Sequence, residues 1–514
     1  MQNNDNIILI DKFNRRNQCI IRLKIARYNL STKGVENMKK VSPDNFSTTN
    51  AGTFEGWGCS ICWWGHRLGY SDILAEKAAE LFCSPHGLNL NIMRYNIGGG
   101  DDPSHKHIKR SDSAIPGYLD YDKETGKTTW NYEADKNQLN ILKHCYKAAG
   151  KYAWVEVFSN SPPYFMTVSG CSSGSKTGRE NNLKDECVTD FAKYLSHVSK
   201  HIETEHGINI KSVAPMNEPN TDYWKLNSPK QEGCHIDPGE KQSAVIVETR
   251  KAFDEEGLSH VIVAASDETS TSKQVTAYKK YTDEAKKAIG RISTHTYMVH
   301  RMKTLSDLRK KEGFNLWMSE TDWAGVAGEN AGDMSSGLWF AKKIIKDING
   351  LSPSAWIMWL PVDLHRSKDG YGGNPDWGDY DETKGFWGLT CCDHDKEEII
   401  LTQKYYCCGQ FSRYIRPGMT LIHIDKNTLG AYDRENKKVV IVAVNPTAKN
   451  KRSDFDLADF ASVGTTSEVI VTSGNTADGK KWQKENSVEI KDKILNVVLE
   501  PNSVTTFIIE NTTV

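Results

Sequence analysis

Long hydrophobic runs are missing from this 514-residue chain. Stretches such as Ile7–Ile10 and Val439–Val444 fall far short of the about 20 apolar residues that cross a bilayer, so no membrane span and no membrane partner are expected. An excess of positive charge is missing too: 65 Lys and Arg against 66 Asp and Glu leave a formal charge of −1, without the basic surplus that phosphate-backbone binding needs, which argues against a nucleic-acid partner. Cysteine is sparse, 12 in all, which excludes a disulfide scaffold and reads as reduced thiols. Cys59-Ser60-Ile61-Cys62 has no second pair at zinc-finger spacing, and Cys391-Cys392 and Cys407-Cys408 are adjacent pairs with poor ligand geometry, so neither a metal nor a cofactor is expected. A secretory signal is also missing from the start of the chain, which is polar, briefly apolar and then basic from Lys12 to Arg27; as written it reads as cytoplasmic. Residues 1–37 read as a disordered leader, with Met38 as an alternative start.

What is present is an alternation. From about residue 52 to 362, short β-rich runs interleave with longer segments of helical periodicity, the pattern of parallel strands with helical crossovers. The strands are expected at Phe54–Trp64, Leu90–Ile97, Ala153–Ser159, Lys211–Met216, Val261–Ser266, Ile292–Tyr297, Asn315–Ser319 and Ala355–Leu360. Ser71 can cap a helix whose Leu74, Ala78, Leu81 and Phe82 form one apolar stripe, and further amphipathic stretches follow near 135–148, 185–204, 239–256, 273–288, 303–311 and 334–348. Eight strands with helices between them predict an α/β fold, a (β/α)8 TIM barrel. Beyond about residue 410 the pattern becomes period-2 alternation, exemplified by Lys437–Pro446, with further strands at 467–472, 488–490, 494–499 and 503–509; this predicts a side antiparallel β-sandwich. The expected division is therefore 38–51 as a first strand of the side domain, 52–410 as the barrel and 411–514 as the sandwich, with the turn Arg416-Pro417-Gly418 as connector.

In such a barrel the reactive groups sit at the C-terminal ends of the strands. Two ends carry a glutamate: Glu218 after the fourth strand, in Met216-Asn217-Glu218-Pro219, and Glu320 after the seventh, in Met318-Ser319-Glu320-Thr321. Strands four and seven face each other across the lumen, so both carboxyl groups can meet one bound group. Glycoside hydrolysis needs that pair, one acid to protonate the leaving oxygen and one carboxylate to act at the anomeric carbon. Asn217 adds an amide able to hydrogen-bond a sugar hydroxyl. Of the 14 tryptophans, many fall at strand ends or loops (Trp57, Trp63, Trp64, Trp224, Trp323, Trp359, Trp377, Trp387). Trp63, Trp64 and Trp359 are read as sugar contacts, while Trp154, Trp339 and Trp356, mid-strand or mid-helix, are read as core.

The ordered set Gly56-Trp57-Gly58-Cys59-Ser60, Arg94-Tyr95-Asn96-Ile97-Gly98-Gly99, Asn160–Met166, Asn217-Glu218-Pro219, Ser319-Glu320 and Tyr405–Gly418 resembles glycoside hydrolase family 30, within the retaining clan A. The resemblance implies that Glu218 is the general acid/base, Glu320 the nucleophile, Arg94 and Tyr297 contacts of that nucleophile, and Asn96 and Asn160 substrate-binding residues. Its chemistry demands asymmetry: Glu218 must hold a proton, so an apolar or like-charge setting should raise its pKa, whereas Glu320 must stay ionised. The run from Trp224 to Ile236, with Gln231-Glu232-Gly233-Cys234-His235, and the pair Trp63-Trp64 look most like the subgroup that cleaves β-1,6-linked galactan. The expected partner is a neutral oligo- or polysaccharide. Other family substrates (β-1,6-glucan, β-1,4-xylan, a glucosylceramide-like lipid) and a non-catalytic carbohydrate-binding barrel stay open. The loops 363–388 and 169–178 could rim the subsites.

Overall fold

The computed structural model describes residues 38–43, 46–47, 52–110, 112–298, 300–322, 332–373, 376 and 387–514. The expected leader 1–37, Trp323, Trp377 and most of the insert after residue 373 lie outside the described residues. Eight parallel strands, β1 (Gly56–Ser60), β2 (Ile92–Asn96), β3 (Trp154–Phe158), β4 (Ile210–Ala214), β5 (Ile262–Ser270), β6 (Arg291–Met298), β7 (Leu316–Glu320) and β8 (Ala355–Met358), close into a barrel in chain order. Closure is made by β8 on β1, with Ala355 opposite Gly56 and Trp356 opposite Trp57. The helix Asp72–Phe82 starts where the sequence places its cap: Ser71 Oγ accepts from the Leu74 amide at 3.2 Å. The expected helix 273–288 is two, Thr271–Lys280 and Asp283–Ala288, because Tyr281 is extended and Thr282 caps a new start. Among the described residues no helix is long and apolar enough to cross a membrane.

Inside the barrel the floor is apolar, with Ile92, Trp317, Ala355 and Ile357 packed together. One pleat repeat higher along the strands the lumen turns ionic. Arg94, Glu156 and Arg291 are buried there, Arg291 pairing with Glu156 and resting 3.4 Å over the Trp317 ring. This charged layer is the platform on which the strand-end residues stand.

The side domain is two sheets joined by the twelve-residue strand Lys480–Lys491, which pairs with Thr466–Ser473 along most of its length and with Ile494–Leu499 at its end. One sheet runs on through Ser503–Ile509, Lys438–Asn445, Thr428–Asp433 and Thr420–Asp425; the other through Ile494–Leu499, Lys451–Asp456 and Met38–Lys40. Ile441, Phe507 and Val469 pack with Phe455, Leu495 and Val497 between them. Lys438–Asn445 departs from the expected one-sided alternation. Val439, Ile441 and Ala443 face the sandwich core, whereas Val440, Val442 and Val444 join the core of the barrel, so the strand is apolar on both faces because both are covered. The helix Gln403–Ser412 lies at this junction, where Gln410 Nε2 donates to Thr472 Oγ1 at 2.9 Å.

Candidate active site

Glu218 stands four residues past the end of β4, with φ of 48°, in the left-handed region that side chains rarely adopt. Its amide donates to the Asp267 carbonyl at 2.9 Å and its carbonyl accepts from Trp224 Nε1 at 3.1 Å, and these bonds hold the strained residue in place. Glu320 is the last residue of β7. Each acid has two donors. Glu218 Oε1 lies 3.0 Å from His295 Nδ1 and its Oε2 accepts from the Tyr223 hydroxyl. Glu320 Oε2 accepts from Arg94 at 2.8 Å and its Oε1 from the Tyr297 hydroxyl at 2.9 Å. His295 Nδ1 is also 3.6 Å from Glu320 Oε1, so one imidazole nitrogen sits between the two acids. A carboxyl oxygen of Glu218, a ring nitrogen of His295 and a carboxyl oxygen of Glu320 all lie within 4.8 Å of one another.

Beneath them Arg94 is fully buried, donating also to Glu156 at 3.2 Å, to Ser60 Oγ at 3.2 Å and to Asp267, with its guanidinium 4.2 Å over the Phe158 ring. Burial alone would lower its pKa, but Asp267, Glu320 and Glu156 raise it above the ordinary arginine value.

The electrostatics differ from what the sequence implies. Burial acts to raise the Glu218 carboxyl, yet the bonds from His295 and Tyr223 hold it below the usual carboxylate range. Burial raises Glu320 above that range, against the pull of His295 and Arg94. His295, which burial would lower, is lifted to about 10 by Glu320 and Asp267. The expected apolar or like-charge environment of Glu218 is corrected to a cationic one. His295 Nδ1 lies 3.0 Å from Glu218 and 3.6 Å from Glu320, close enough for the three groups to titrate as a unit.

These acids open into a cavity of about 400 Å³ walled by Trp63, Tyr223, Trp224, Tyr297, Trp359 and Trp387, with Asn217, Lys230 and Gln231 among its polar members. Trp63 meets Trp359 edge-on at 5.0 Å. Asn217 Oδ1 and Trp63 Nε1 are buried without a protein partner, a free acceptor and a free donor in the pocket wall.

Of the residues read from the sequence, Trp63, Asn217, Glu218, Tyr297, Glu320 and Trp359 line the cavity and Arg94 lies behind it. Three others do not line it either. Trp64 opens the helix Trp64–Leu68 instead of ending a strand, because β1 stops at Ser60; it is fully buried, edge-on to Phe82. Asn96 is consumed by Glu232 (2.6 Å), by the Asn160 amide (3.2 Å) and by Gln138, and Asn160 is buried behind it. Sequence reasoning passed over His295, Asp267 and Tyr223. The first was within reach, since in an extended strand it shares a face with Tyr297, two residues on. Tyr223 arrives from a loop that no periodicity marks.

The chain is 29% identical to the endo-β-1,6-galactanase of Hypocrea rufa over 481 residues, covering 90% of this chain and 92% of that protein. It is 24% identical to the exo-β-1,6-galactobiohydrolase of Bifidobacterium longum subsp. longum, over 88% of this chain and 38% of that longer protein. Among solved structures, a family 30 subfamily 8 xylanase from Clostridium acetobutylicum superimposes with a TM-score of 0.64 at 18% identity, over 92% of this chain and 100% of the xylanase, a likeness of fold. The profile of O-glycosyl hydrolase family 30 matches residues 45–372, and the chain belongs to that family of glycosidases.

Proposed function

We propose that the protein is a retaining β-glycosidase that cleaves β-1,6-linked galactan or galacto-oligosaccharides by double displacement, with Glu320 as nucleophile and Glu218 as acid/base. The observation that carries this reading is the spacing of the acids. Retaining enzymes hold their carboxyl groups about 5–5.5 Å apart, whereas inverting ones leave about 6.5–9.5 Å for a water, and here oxygens of Glu218 and Glu320 come within 4.8 Å. A Glu320 oxygen attacks the anomeric carbon as the glycosidic C–O bond breaks and the leaving oxygen takes a proton from Glu218. Water then attacks the glycosyl ester, returns its proton to Glu218 and frees Glu320. Glu218 is loaded at Oε1 from His295 Nδ1, 3.0 Å away, and hands that proton from Oε1 to the leaving oxygen while Tyr223 stays on Oε2. Arg94 and Tyr297 orient Glu320 toward the sugar and release no proton themselves.

The galactan reading is supported by the two β-1,6-galactan-active relatives and by a pocket whose walls are aromatic, suited to stacking on sugar C–H faces. A panel of defined oligosaccharides with product analysis tests linkage, sugar and anomeric outcome together. Release of β-configured products from β-1,6-galacto-oligosaccharides is expected; preferential turnover of xylan, β-1,6-glucan or a glucolipid would overturn the substrate, and inverted products the mechanism. Glu320→Gln should lower kcat by about 10⁴-fold or more, as loss of a nucleophile does elsewhere, and a 2-fluoro glycoside should label Glu320; a variant within tenfold of wild type would overturn Glu320 as nucleophile, and a wild type that neither turns over these sugars nor takes the label would leave a binding barrel as the better account.

A further inference from the structure

At the same end of the barrel a second group of ligating side chains gathers, apart from the catalytic acids. Asp101 follows Gly98-Gly99-Gly100 beyond β2, His105 and His107 come four and six residues later, and Cys171 reaches in from the loop after β3. One ligand atom of each lies within 4.8 Å of all the others. Asp101 Oδ1 is 3.1 Å from His105 Nδ1, Asp101 Oδ2 is 3.4 Å from His107 Nε2 and 4.0 Å from Cys171 Sγ, and Cys171 Sγ is 3.7 Å from His107 Nε2. A tetrahedral zinc ion with bonds of about 2.0–2.3 Å to nitrogen, oxygen and sulfur sets its ligands about 3.3–3.6 Å apart, and the observed separations bracket that figure.

Hydrogen bonding alone accounts poorly for this arrangement. Asp101 already accepts from the Ser172 amide at 3.1 Å, and His107 Nδ1 is buried with no protein partner. With the His107 proton on Nδ1, the Nε2 lone pair has only the weak donor of the Cys171 thiol, 3.7 Å away, and Asp101 Oδ2 competes for that thiol at 4.0 Å. Among the described residues Asp101 pairs with no lysine or arginine. A divalent cation at the centre meets the Nε2 lone pair, the carboxylate and the sulfur together. The thiol gives its proton to solvent, and one carboxylate and one thiolate then neutralise a 2+ ion, leaving a site that can be buried without residual charge. Sulfur with two imidazoles and one carboxylate is a borderline-soft set that selects zinc over calcium or magnesium.

We propose that Asp101, His105, His107 and Cys171 form a structural zinc site that clamps the loops after β2 and β3 and, through them, the wall of the substrate cavity. Four protein ligands close the coordination sphere, which is the mark of a structural rather than a catalytic zinc. The clamp reaches the cavity through the backbone. Ser172 O accepts from the Gly233 amide at 2.8 Å, and Ser173 Oγ donates to Lys225 O at 3.0 Å and accepts from the Ser228 amide at 3.2 Å. The segment so held supplies Ser228, Lys230 and Gln231 to the cavity. Gly174 keeps the contact close: a Cβ there would sit 2.1 Å from the Trp224 backbone. Scanning cysteine pairs could not find this site, because its single cysteine lies 64 positions from His107.

The test uses the full-length protein. After growth in zinc-supplemented medium and purification without chelator, elemental analysis should find one zinc per chain, and exchange for Co²⁺ should give thiolate-to-cobalt charge-transfer absorption with tetrahedral d–d bands. Cys171→Ser should abolish the charge-transfer band and His107→Ala should lower zinc content at least tenfold, while Glu320→Gln keeps both. Wild-type protein that stays metal-free after incubation with Zn²⁺, that binds Co²⁺ without the thiolate band, or that binds zinc no better than Cys171→Ser would overturn the proposal. If the variants fail to fold, the cobalt spectrum of the wild type decides alone, and none of these readouts depends on which sugar the enzyme cleaves.

Discussion

Two clusters of histidine and carboxylate stand at the same end of the barrel, and they differ in the source of their positive charge. In the catalytic cluster it is covalent and permanent: Arg94 lies among Glu156, Asp267 and Glu320, and Arg291 backs Glu156. At the rim, Asp101 meets two histidines and a cysteine. Where guanidinium groups neutralise the acids, the protons left over are free to move between Glu218, His295 and Glu320, which is what acid–base chemistry requires. Where none does, the same ligand types want an exchangeable ion. On the two proposals together, one fold makes a proton-transfer centre from such side chains where an arginine is buried beneath them, and a metal clamp where, among the described residues, none pairs with them.

Removing that arginine is the severest way to break the comparison. Arg94→Met leaves Glu156, Asp267 and Glu320 buried without their shared cation, and loss of one partner of a buried ion pair costs about 3–5 kcal/mol. Stability in chemical denaturation should fall by that order and kcat/KM by about 10³-fold or more, while zinc content stays at one per chain. A variant within tenfold of wild-type activity would show that the arginine is only structural.

Next in size is the effect of His295. Its pKa rises from the ordinary value of about 6.5 to about 10 in the folded protein. The ion is held in the fold up to about pH 10 but in the unfolded chain only to about 6.5, so its stabilisation is complete below 6.5 and is withdrawn as the pH climbs toward 10. Melting temperature should fall across that window, and the fall should flatten in His295→Asn, whose kcat should drop by about 10²-fold, as for loss of a proton-transfer group. An alkaline fall unchanged in the variant would remove His295 from the proton path.

Much of this was legible from the chain. The eight strands follow from alternating runs bounded by glycine and caps, and the two glutamates from the rule that strand ends carry the chemistry. Trp64 was misplaced because aromatic content cannot tell a strand end from the first turn of a helix that begins four residues later. The tuning of Glu218 was hidden for a different reason. It depends on His295 and Tyr223, which come from another strand and from a loop, and pairwise distances across the lumen are not written in periodicity. The rim cluster shares that fate, its histidines being local and its cysteine remote.

The smallest effect falls on the residue that joins the two clusters. Glu232 accepts from Asn96 Nδ2 at 2.6 Å, beside the catalytic floor, and from the Gly99 amide at 3.3 Å, two residues before Asp101. Burial pushes its carboxyl up to about 8, those donors pulling the other way. Below about pH 4.5 the carboxyl is protonated in both folded and unfolded chains and has no effect. Above that the unfolded chain ionises while the fold still holds the proton, so stability declines with rising pH until about 8 and is level beyond. Each pH unit in the window removes at most about 1.4 kcal/mol, and Glu268, raised by burial to about 7, slopes the same way. Melting temperature should therefore begin to fall near pH 5, and below about pH 6.5, where His295 has no effect, the slope belongs to Glu232 and Glu268. Glu232→Gln should flatten part of that slope. Because Gln keeps a single carbonyl acceptor for two donors, the variant should also release zinc somewhat faster to a chelator than wild type does at pH 6; equal rates would mean that the two clusters share an end of the barrel without sharing a load.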